Sequence, residues 1–341
     1  MGVKGLMNIL KKTDEINQIV DLKELRGKII AIDISLLSYQ VVMGIGKHTD
    51  APYIETLLYG LLCKINKFLT NNILCIGVFD GKPSHLKDET ILAREESRPE
   101  NSFCLKDEDT ELVKEMLDTI GIPYIQSPEE SDPVLAFLEM KGYVDFVLSD
   151  DSDLMMYGCK NILRNQKGTS VSIFRPDKFL HENSLEYADL VRLGVLLGND
   201  YNTNPPKVGP VKALDAVLKK MSFEEVFEKY KVNEPKLLEL MNTVYVYYTT
   251  EVEKISSTIK LNINQTIGNP EDIESFFKKH LSKLTVSVLN KTIKNSCCFN
   301  FEQLIYNKNE ITCTSSPNVK FNKSTIALLK YLGESRKVVY G

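Results

Sequence analysis

Three short apolar runs in this chain each run into an aspartate, and that shared ending constrains the fold more than any bulk property. They are Lys28-Ile-Ile-Ala-Ile-Asp33, Ile73-Leu-Cys-Ile-Gly-Val-Phe79 followed at once by Asp80, and Asp145-Phe-Val-Leu-Ser149 followed by Asp150, Asp151 and Asp153. Their length and β-branched content are those of strands buried on both faces. Weaker strand patterns lie at 123–125, 161–164 and 171–174, and helical periodicity runs through 53–70, 107–120, 130–141 and 184–197. Strands alternating with helices predict an α/β fold, a mostly parallel sheet flanked by helices. After Asp200 the pattern becomes helical, over 210–220, 222–231, 234–258 and 271–293, while 295–341 is mixed with a turn at Ser315-Ser316-Pro317.

In an open α/β sheet, ligands bind outside the carboxyl ends of the strands. Three strands therefore deliver carboxylates to one rim: Asp33, Asp80, and Asp151 with Asp153. Glu130 and Asp132 open the helix of 130–141, and Asp200 follows the apolar stretch Gly194-Val-Leu-Leu-Gly198. Singly, each acid is adequately explained as a helix cap or first-turn residue. Together they repel one another unless cations neutralise them. Hard oxygen donors select Mg²⁺ or Mn²⁺ over zinc, and two such ions are the arrangement used for in-line displacement at phosphate.

The charge distribution bears on the partner. Residues 1–204 carry 22 basic and 32 acidic side chains, a net of −10, whereas residues 205–341 carry 20 and 14, a net of +6. An acidic front with a basic back is compatible with a metal-holding half joined to one that meets a polyanion. The seven cysteines are odd in number and lack a C-x-x-C pair, and the four histidines are far apart, which argues against zinc and disulfides and for free thiols in a reducing compartment. No apolar run reaches the roughly 18 residues of a membrane span, and Lys4, Lys11 and Lys12 interrupt any signal-like start, so an intracellular chain with no membrane partner is expected.

These blocks resemble the XPG/flap endonuclease family of structure-specific 5′ nucleases. The resemblance rests on Met1-Gly-Val-Lys-Gly-Leu6, Gly27-Lys-Ile-Ile-Ala-Ile-Asp-Ile-Ser35, Val78-Phe-Asp-Gly-Lys-Pro83, Gly121 through Asp132, Ser149-Asp-Asp-Ser-Asp153, and Leu196-Leu-Gly-Asn-Asp-Tyr201 followed by Val208-Gly-Pro210. It spans roughly residues 1–230 in order. It implies a PIN-like nuclease core over 1–204, made of an N-terminal block (1–98), an arch or cap segment (84–127) and an internal block (121–204). A helical DNA-binding region with a helix–two-turn–helix would follow over 205–294, and then an extension, 295–341, without an assigned role.

By that resemblance Asp33, Asp80, Glu130 and Asp132 would hold a first Mg²⁺ and Asp151, Asp153 and Asp200 a second, with Asp132 shared and Mn²⁺ able to substitute. Relatives usually carry Glu where this chain has Asp132. Lys87 and Arg94 would reach over the metals to the scissile phosphate; they share a face if 84–97 is helical, where positive charge would stabilise the transition state. Gly2 and Tyr39 would meet DNA at the cleavage site, with Tyr39 stacking on a base. Lys64 and Lys67 align with phosphate-binding arginines. Gly209 and Pro210 open a helix whose free N–H groups can receive a phosphate, and Lys207 and Lys212 would add contacts. Relatives often hold K⁺ in this turn; Lys207 stands where they commonly have Gly.

The expected protein is thus a Mg²⁺-dependent nuclease acting as a monomer on branched or flapped DNA, at sites of replication or repair in the nucleus, or in the cytoplasm if it is viral or prokaryotic. No sliding-clamp motif is recognisable near residue 341. The alternatives are a non-catalytic nucleic-acid-binding scaffold of the same fold, which should have lost ligands, a junction-resolving member, and an Asp-rich phosphatase, which would not need the Val208-Gly-Pro210 turn. The arch segment is acidic, with 5 basic and 11 acidic residues from Ser84 to Ser127. A flap held loosely is the expectation from that charge.

Overall fold

The computed structural model describes residues 2–45, 52–87, 105–255, 261–262, 270–282, 288–290, 292, 304–307 and 310–313. Its centre is one sheet built from β1 (Asn17–Asp21), β2 (Ile29–Asp33), β3 (Leu74–Phe79), β4 (Tyr124–Gln126), β5 (Phe146–Leu148), β6 (Ile162–Lys167), β7 (Ser170–Phe174) and β8 (Leu261–Asn262). The strand order is β1-β7-β6-β5-β2-β3-β4-β8. The five central strands, β6 to β4, pair in parallel. Both edges are antiparallel, where β1 and β6 flank β7 and where β8 closes on β4. The sheet is therefore mixed at its margins and parallel where the sequence pattern is strongest.

Alternation in the buried strands decides which layer each side chain joins. Ile29 and Ala31 of β2 face one core and Ile30 and Ile32 the other; Leu74, Ile76 and Val78 of β3 divide from Cys75 and Phe79 in the same way. Helices must then cover both faces, because each buried Ile or Leu contributes about 1.5–3 kcal/mol only once water is excluded. Helices Ser131–Met140, Tyr187–Leu197, Pro210–Leu218 and Pro235–Lys254 build the first layer. Helices Ile34–Ile45, Tyr53–Thr70, Asp107–Ile120 and Pro270–His280 build the second.

The periodic segments 53–70 and 107–120 form helices with those bounds. Elsewhere the structure departs from the pattern. The helical signal at 184–197 resolves into Tyr187–Leu197, preceded by a separate helix, Pro176–Glu182, that Pro176 initiates at its first position. The run 234–258 is helical over Pro235–Lys254, and 271–293 over Pro270–His280. Strand β1 escapes the hydrophobic pattern because Asn17, Gln18 and Ile19 are exposed along an edge. Strands also recur late in the chain, as β8 and as an antiparallel hairpin of β9 (Leu304–Asn307) and β10 (Glu310–Cys313). Six of the eleven acids between Ser84 and Ser127 sit on helix Asp107–Ile120, whose other face is core. Of those six only Asp109 is buried, so the other five lie toward the solvent side of the second layer, and the remaining five acids of the stretch are outside the described residues.

Among the described residues no helix is long and apolar enough to cross a membrane, and Cys63, Cys75 and Cys159 are free thiols.

Candidate active site

The carboxyl ends of β2, β3 and β5 lie side by side, so Asp33, Asp80 and the Asp151–Asp153 turn share one rim. Asp33 ends β2 and caps the helix that follows: its Oδ1 accepts the Leu36 N–H at 2.9 Å, and its Oδ2 accepts the Ser149 hydroxyl at 3.1 Å from the neighbouring strand end. Capping and site membership thus coincide in one residue. Asp80 is held by its own N–H, donated to Ser35 Oγ at 3.0 Å, and its Oδ1 accepts the Ser131 N–H at 2.8 Å. That contact caps helix Ser131–Met140 from another strand and leaves Glu130, the N-cap residue by backbone geometry, with a side chain that makes no capping bond. Glu130 and the first-turn Asp132 are free to face the rim.

Asp151 accepts the Asp153 N–H at 3.1 Å and donates its own N–H to Ser149 Oγ at 3.1 Å. Asp153 starts the short helix Asp153–Met156 and is 1% exposed. Asp200 is presented by a tight turn after helix Tyr187–Leu197, where Gly198 takes φ +82° and Asn199 Oδ1 accepts the Tyr201 N–H at 2.8 Å. A Cβ at Gly198 would meet the Asn204 nitrogen at 2.8 Å, so only glycine fits there.

Charge is concentrated at this rim. Burial, with the neighbouring Asp80 charge, pushes the Asp33 carboxyl up to about 8. Burial together with Asp151, Asp33 and Asp153 raises Asp132 well above the carboxylate range, and burial with Asp151 does the same to Asp153. The Lys87 ammonium stands among them, 2.7 Å from Glu130 Oε1 and 3.9 Å from Asp200 Oδ2. Burial works against its charge, but Glu130, Asp153 and Asp132 outweigh that and raise its pKa. Its amine also lies 4.8 Å over the Tyr201 ring, a cation–π contact.

Lys87, with Arg164 beside Asp150 and Asp151, leaves this rim of seven acids short of positive charge, and Asp153 Oδ1 is buried with no hydrogen-bond partner among the described residues. Hard carboxylate oxygens in this number are donors that suit a divalent ion such as Mg²⁺ or Mn²⁺. Among the described residues no three His, Cys, Asp or Glu side chains already surround one ion-sized point. The carboxylates line an open rim, with Glu130 engaged by Lys87.

The remaining sequence candidates fall around this rim. Gly2 takes φ +91° and packs against the second acidic turn; a Cβ there would lie 2.3 Å from both Asp151 Oδ1 and Ser152 Oγ. The Val3 N–H donated to Ser152 Oγ at 2.8 Å fixes that approach. Lys87 lies in the turn His85–Lys87, and Arg94 is outside the described residues, as is most of the stretch 84–97. Tyr39 is 43% exposed on helix Ile34–Ile45. Lys64 lines a 170 Å³ cleft that begins at Asp33, and burial lowers its pKa against the opposing charge of Asp150. Lys64 and Lys67 lie on helix Tyr53–Thr70, Lys67 in its last turn.

The segment expected to form a helix–two-turn–helix follows Asp200 in the chain and leads into helix Pro210–Leu218. Gly209 is the N-cap of helix Pro210–Leu218, and a Cβ on it would meet nothing within 4 Å, so its N-terminus is open. Lys207 adopts φ +67°, which explains why glycine suits that position. Lys212 Nζ donates to the Lys207 carbonyl at 2.8 Å, and Asn204 Nδ2 lies 3.2 Å from the Val208 carbonyl and 3.4 Å from that of Pro205. Internal donors therefore occupy the carbonyls of this turn.

Sequence reasoning missed the tyrosines behind the rim, Tyr157, Tyr201, Tyr247 and Tyr248. Tyr201 was visible beside Asp200, but nothing local marks the others, which read as core aromatics.

The sequence matches two family models, the XPG N-terminal domain over residues 1–101 and the XPG I-region over residues 121–200. Flap endonuclease 1 of Theileria parva is 30% identical over 263 residues, covering 66% of this chain and 52% of that protein, so the chain spans about half the length of that relative. The fold superposes on the catalytic core of Rad2 in complex with DNA substrate, at a TM-score of 0.67 and 22% identity over 86% of this chain and 98% of that one. It also superposes on human GEN1 in complex with Holliday junction DNA, at 0.66 and 18% identity over 99% of each. The two family models together contain all seven rim carboxylates, and by this match the chain belongs to the XPG family.

Proposed function

We propose that the protein is a structure-specific 5′ nuclease that hydrolyses DNA phosphodiesters near single-strand/double-strand junctions. The observation that carries this reading is the rim itself: seven acids from five segments with a half-buried lysine among them, too negative to stand without cations. Asp33, Asp80, Glu130 and Asp132 would hold one Mg²⁺, and Asp151, Asp153 and Asp200 the second. Bound there, such ions supply an activated water and stabilise the leaving 3′ oxygen.

The chain's own residues do the rest. Lys87, released from Glu130, turns its ammonium to the scissile phosphate and opposes the charge that grows in the transition state. Arg94 is proposed for the same task. Gly2 lets the N-terminal segment close on the Asp151–Asp153 turn without displacing it. Lys64, Lys67 and Tyr39 lie on the two helices beside Asp33, where they would take phosphates and a base. Residues 205–294 would grip the duplex through the open N-terminus of helix Pro210–Leu218 and through Lys207. Lys212 serves the turn first, by binding the Lys207 carbonyl. Two of the alternatives fit less well. A scaffold without activity has no use for seven ligands, and a phosphatase has none for a helix–two-turn–helix.

The test is to incubate the protein with Mg²⁺ and labelled 5′-flap, gapped, nicked and four-way DNA and to map every cut. Cleavage confined to the branch point supports the reading, and preference for the four-way substrate would make it a junction-resolving member. Absence of cleavage on all four substrates, with Mn²⁺ as well as Mg²⁺, overturns it.

A further inference from the structure

Behind the acidic rim, two buried phenols each bind one carboxylate oxygen. The Tyr201 hydroxyl donates to Glu130 Oε2 at 2.6 Å, and the Tyr248 hydroxyl donates to Asp153 Oδ2 at 3.2 Å. Tyr157 links them, its hydroxyl 2.9 Å from that of Tyr201 and its ring 4.9 Å from that of Tyr248. All three are buried.

The same division recurs in both acids. At Glu130 one oxygen takes the phenol and the other faces the Lys87 ammonium at 2.7 Å. At Asp153 one oxygen takes the phenol, and the other, Oδ1, is buried with no hydrogen-bond partner among the described residues. A carboxylate tied at one oxygen cannot rotate freely, so its second oxygen is aimed. Partners of this kind orient metal ligands throughout metalloproteins and are worth roughly 10–100-fold in metal affinity.

We propose that Tyr201 and Tyr248 are positioning residues that aim Glu130 and Asp153 at divalent metal, one for each of the two ligand groups. This rests on the nuclease reading given above. It has a structural consequence: Tyr248 comes from helix Pro235–Lys254, outside the segments that carry the ligands. Docking of that helix against Tyr187–Leu197 and Ser131–Met140 therefore completes the geometry of the rim.

The experiment uses the full chain with Tyr201→Phe, Tyr248→Phe and, as control, Tyr247→Phe. Phenylalanine keeps each ring and removes only the hydroxyl. The Tyr247 ring lies 5.2 Å from that of Tyr201, yet its hydroxyl binds neither carboxylate. Binding of Mn²⁺ alone is measured by calorimetry without DNA, beside thermal denaturation and single-turnover flap cleavage at low and saturating Mn²⁺. The expected result is a Mn²⁺ affinity about 10–100-fold weaker in Tyr201→Phe and Tyr248→Phe and unchanged in Tyr247→Phe, with the cleavage deficit shrinking at saturating Mn²⁺. Wild-type affinity in the first two variants overturns the assignment even if they melt earlier, and so does an equal loss in the control. Wild-type protein that neither binds Mn²⁺ nor cleaves overturns the nuclease reading and this assignment with it. Variants that match a metal-binding wild type overturn this assignment alone.

Discussion

Lys87 Nζ lies 2.7 Å from Glu130 Oε1, an ion pair whose two side chains are only 13% and 12% exposed. Removing one partner of such a pair strands a charge, which is why the amine and the rim stabilise each other. The same amine lies 3.9 Å from Asp200 Oδ2 and 4.8 Å over the Tyr201 ring, so it stands among the rim acids. In the free protein this residue serves as countercharge to the rim, and the proposed function gives it a second task at the scissile phosphate.

Lys87→Ala should therefore slow single-turnover cleavage by about 10²–10³-fold while the Kd for flap DNA changes little, because the contact is strongest in the transition state. Rapid-quench kinetics beside a binding titration distinguishes the two. A loss confined to affinity would make Lys87 an ordinary phosphate contact.

Asp80→Ala or Asp153→Asn should abolish cleavage and leave junction DNA bound, since the duplex would be held by the helix–two-turn–helix and the basic helices. A gel-shift titration run beside the cleavage assay reads both. Near-normal turnover in Mg²⁺ by either variant would refute the assigned ligands.

Gly2→Ala should cut turnover by about 10²-fold through displacement of the Asp151–Asp153 turn. The new methyl would lie 2.3 Å from Asp151 Oδ1 and the backbone is left-handed at φ +91°. The clash is local to Gly2 and that turn and leaves the buried Val3 and Leu6 side chains unchanged, so the melting temperature should fall by only a few degrees. Comparing the melting curve with kcat is the check.

Asp189 sets a pH dependence of stability away from the rim. It accepts the Glu186 N–H and the Arg192 guanidinium, at 2.9 and 2.8 Å, and pairs with Lys220 just after helix Pro210–Leu218. Burial opposes its charge, but the Glu186 N–H and Lys220 outweigh it and hold the carboxyl below its usual range. Its contribution is therefore fully present above the unfolded-state pKa, near 4, and is lost as the pH falls toward the folded-state value. Asp189→Asn should cost about 2 kcal/mol at pH 7, and the gap should close below about pH 4. Urea titrations at both pH values measure it.

Exchange of K⁺ for Na⁺ at fixed ionic strength should leave DNA affinity unchanged, because Asn204 and Lys212 already bind carbonyls of the turn. Asn204→Ala should make affinity sensitive to the choice of cation. Fluorescence anisotropy with a nicked duplex in each salt reads this.

What the sequence by itself determined was the rim. A buried strand leaves a local signature, an apolar run of about five residues, and the residue that ends it must emerge at the sheet edge; hence Asp33 and Asp80 could be placed before any coordinates, and the Asp151–Asp153 turn just beyond β5 with them. Helices 53–70 and 107–120 were equally legible, since their apolar spacing repeats over several turns. Only the tertiary structure decided what surrounds those acids. Tyr248 is 95 residues from Asp153 and Tyr201 is 71 from Glu130, and no local pattern separates a tyrosine that fills a core from one that fills it and donates a hydrogen bond. The edge strand β1 was hidden for a related reason: its pairing with β7 satisfies the backbone, which carries no side-chain signature. Periodicity records how a segment meets the core as a whole, whereas the partner of a single polar atom is fixed by packing between elements far apart in the chain.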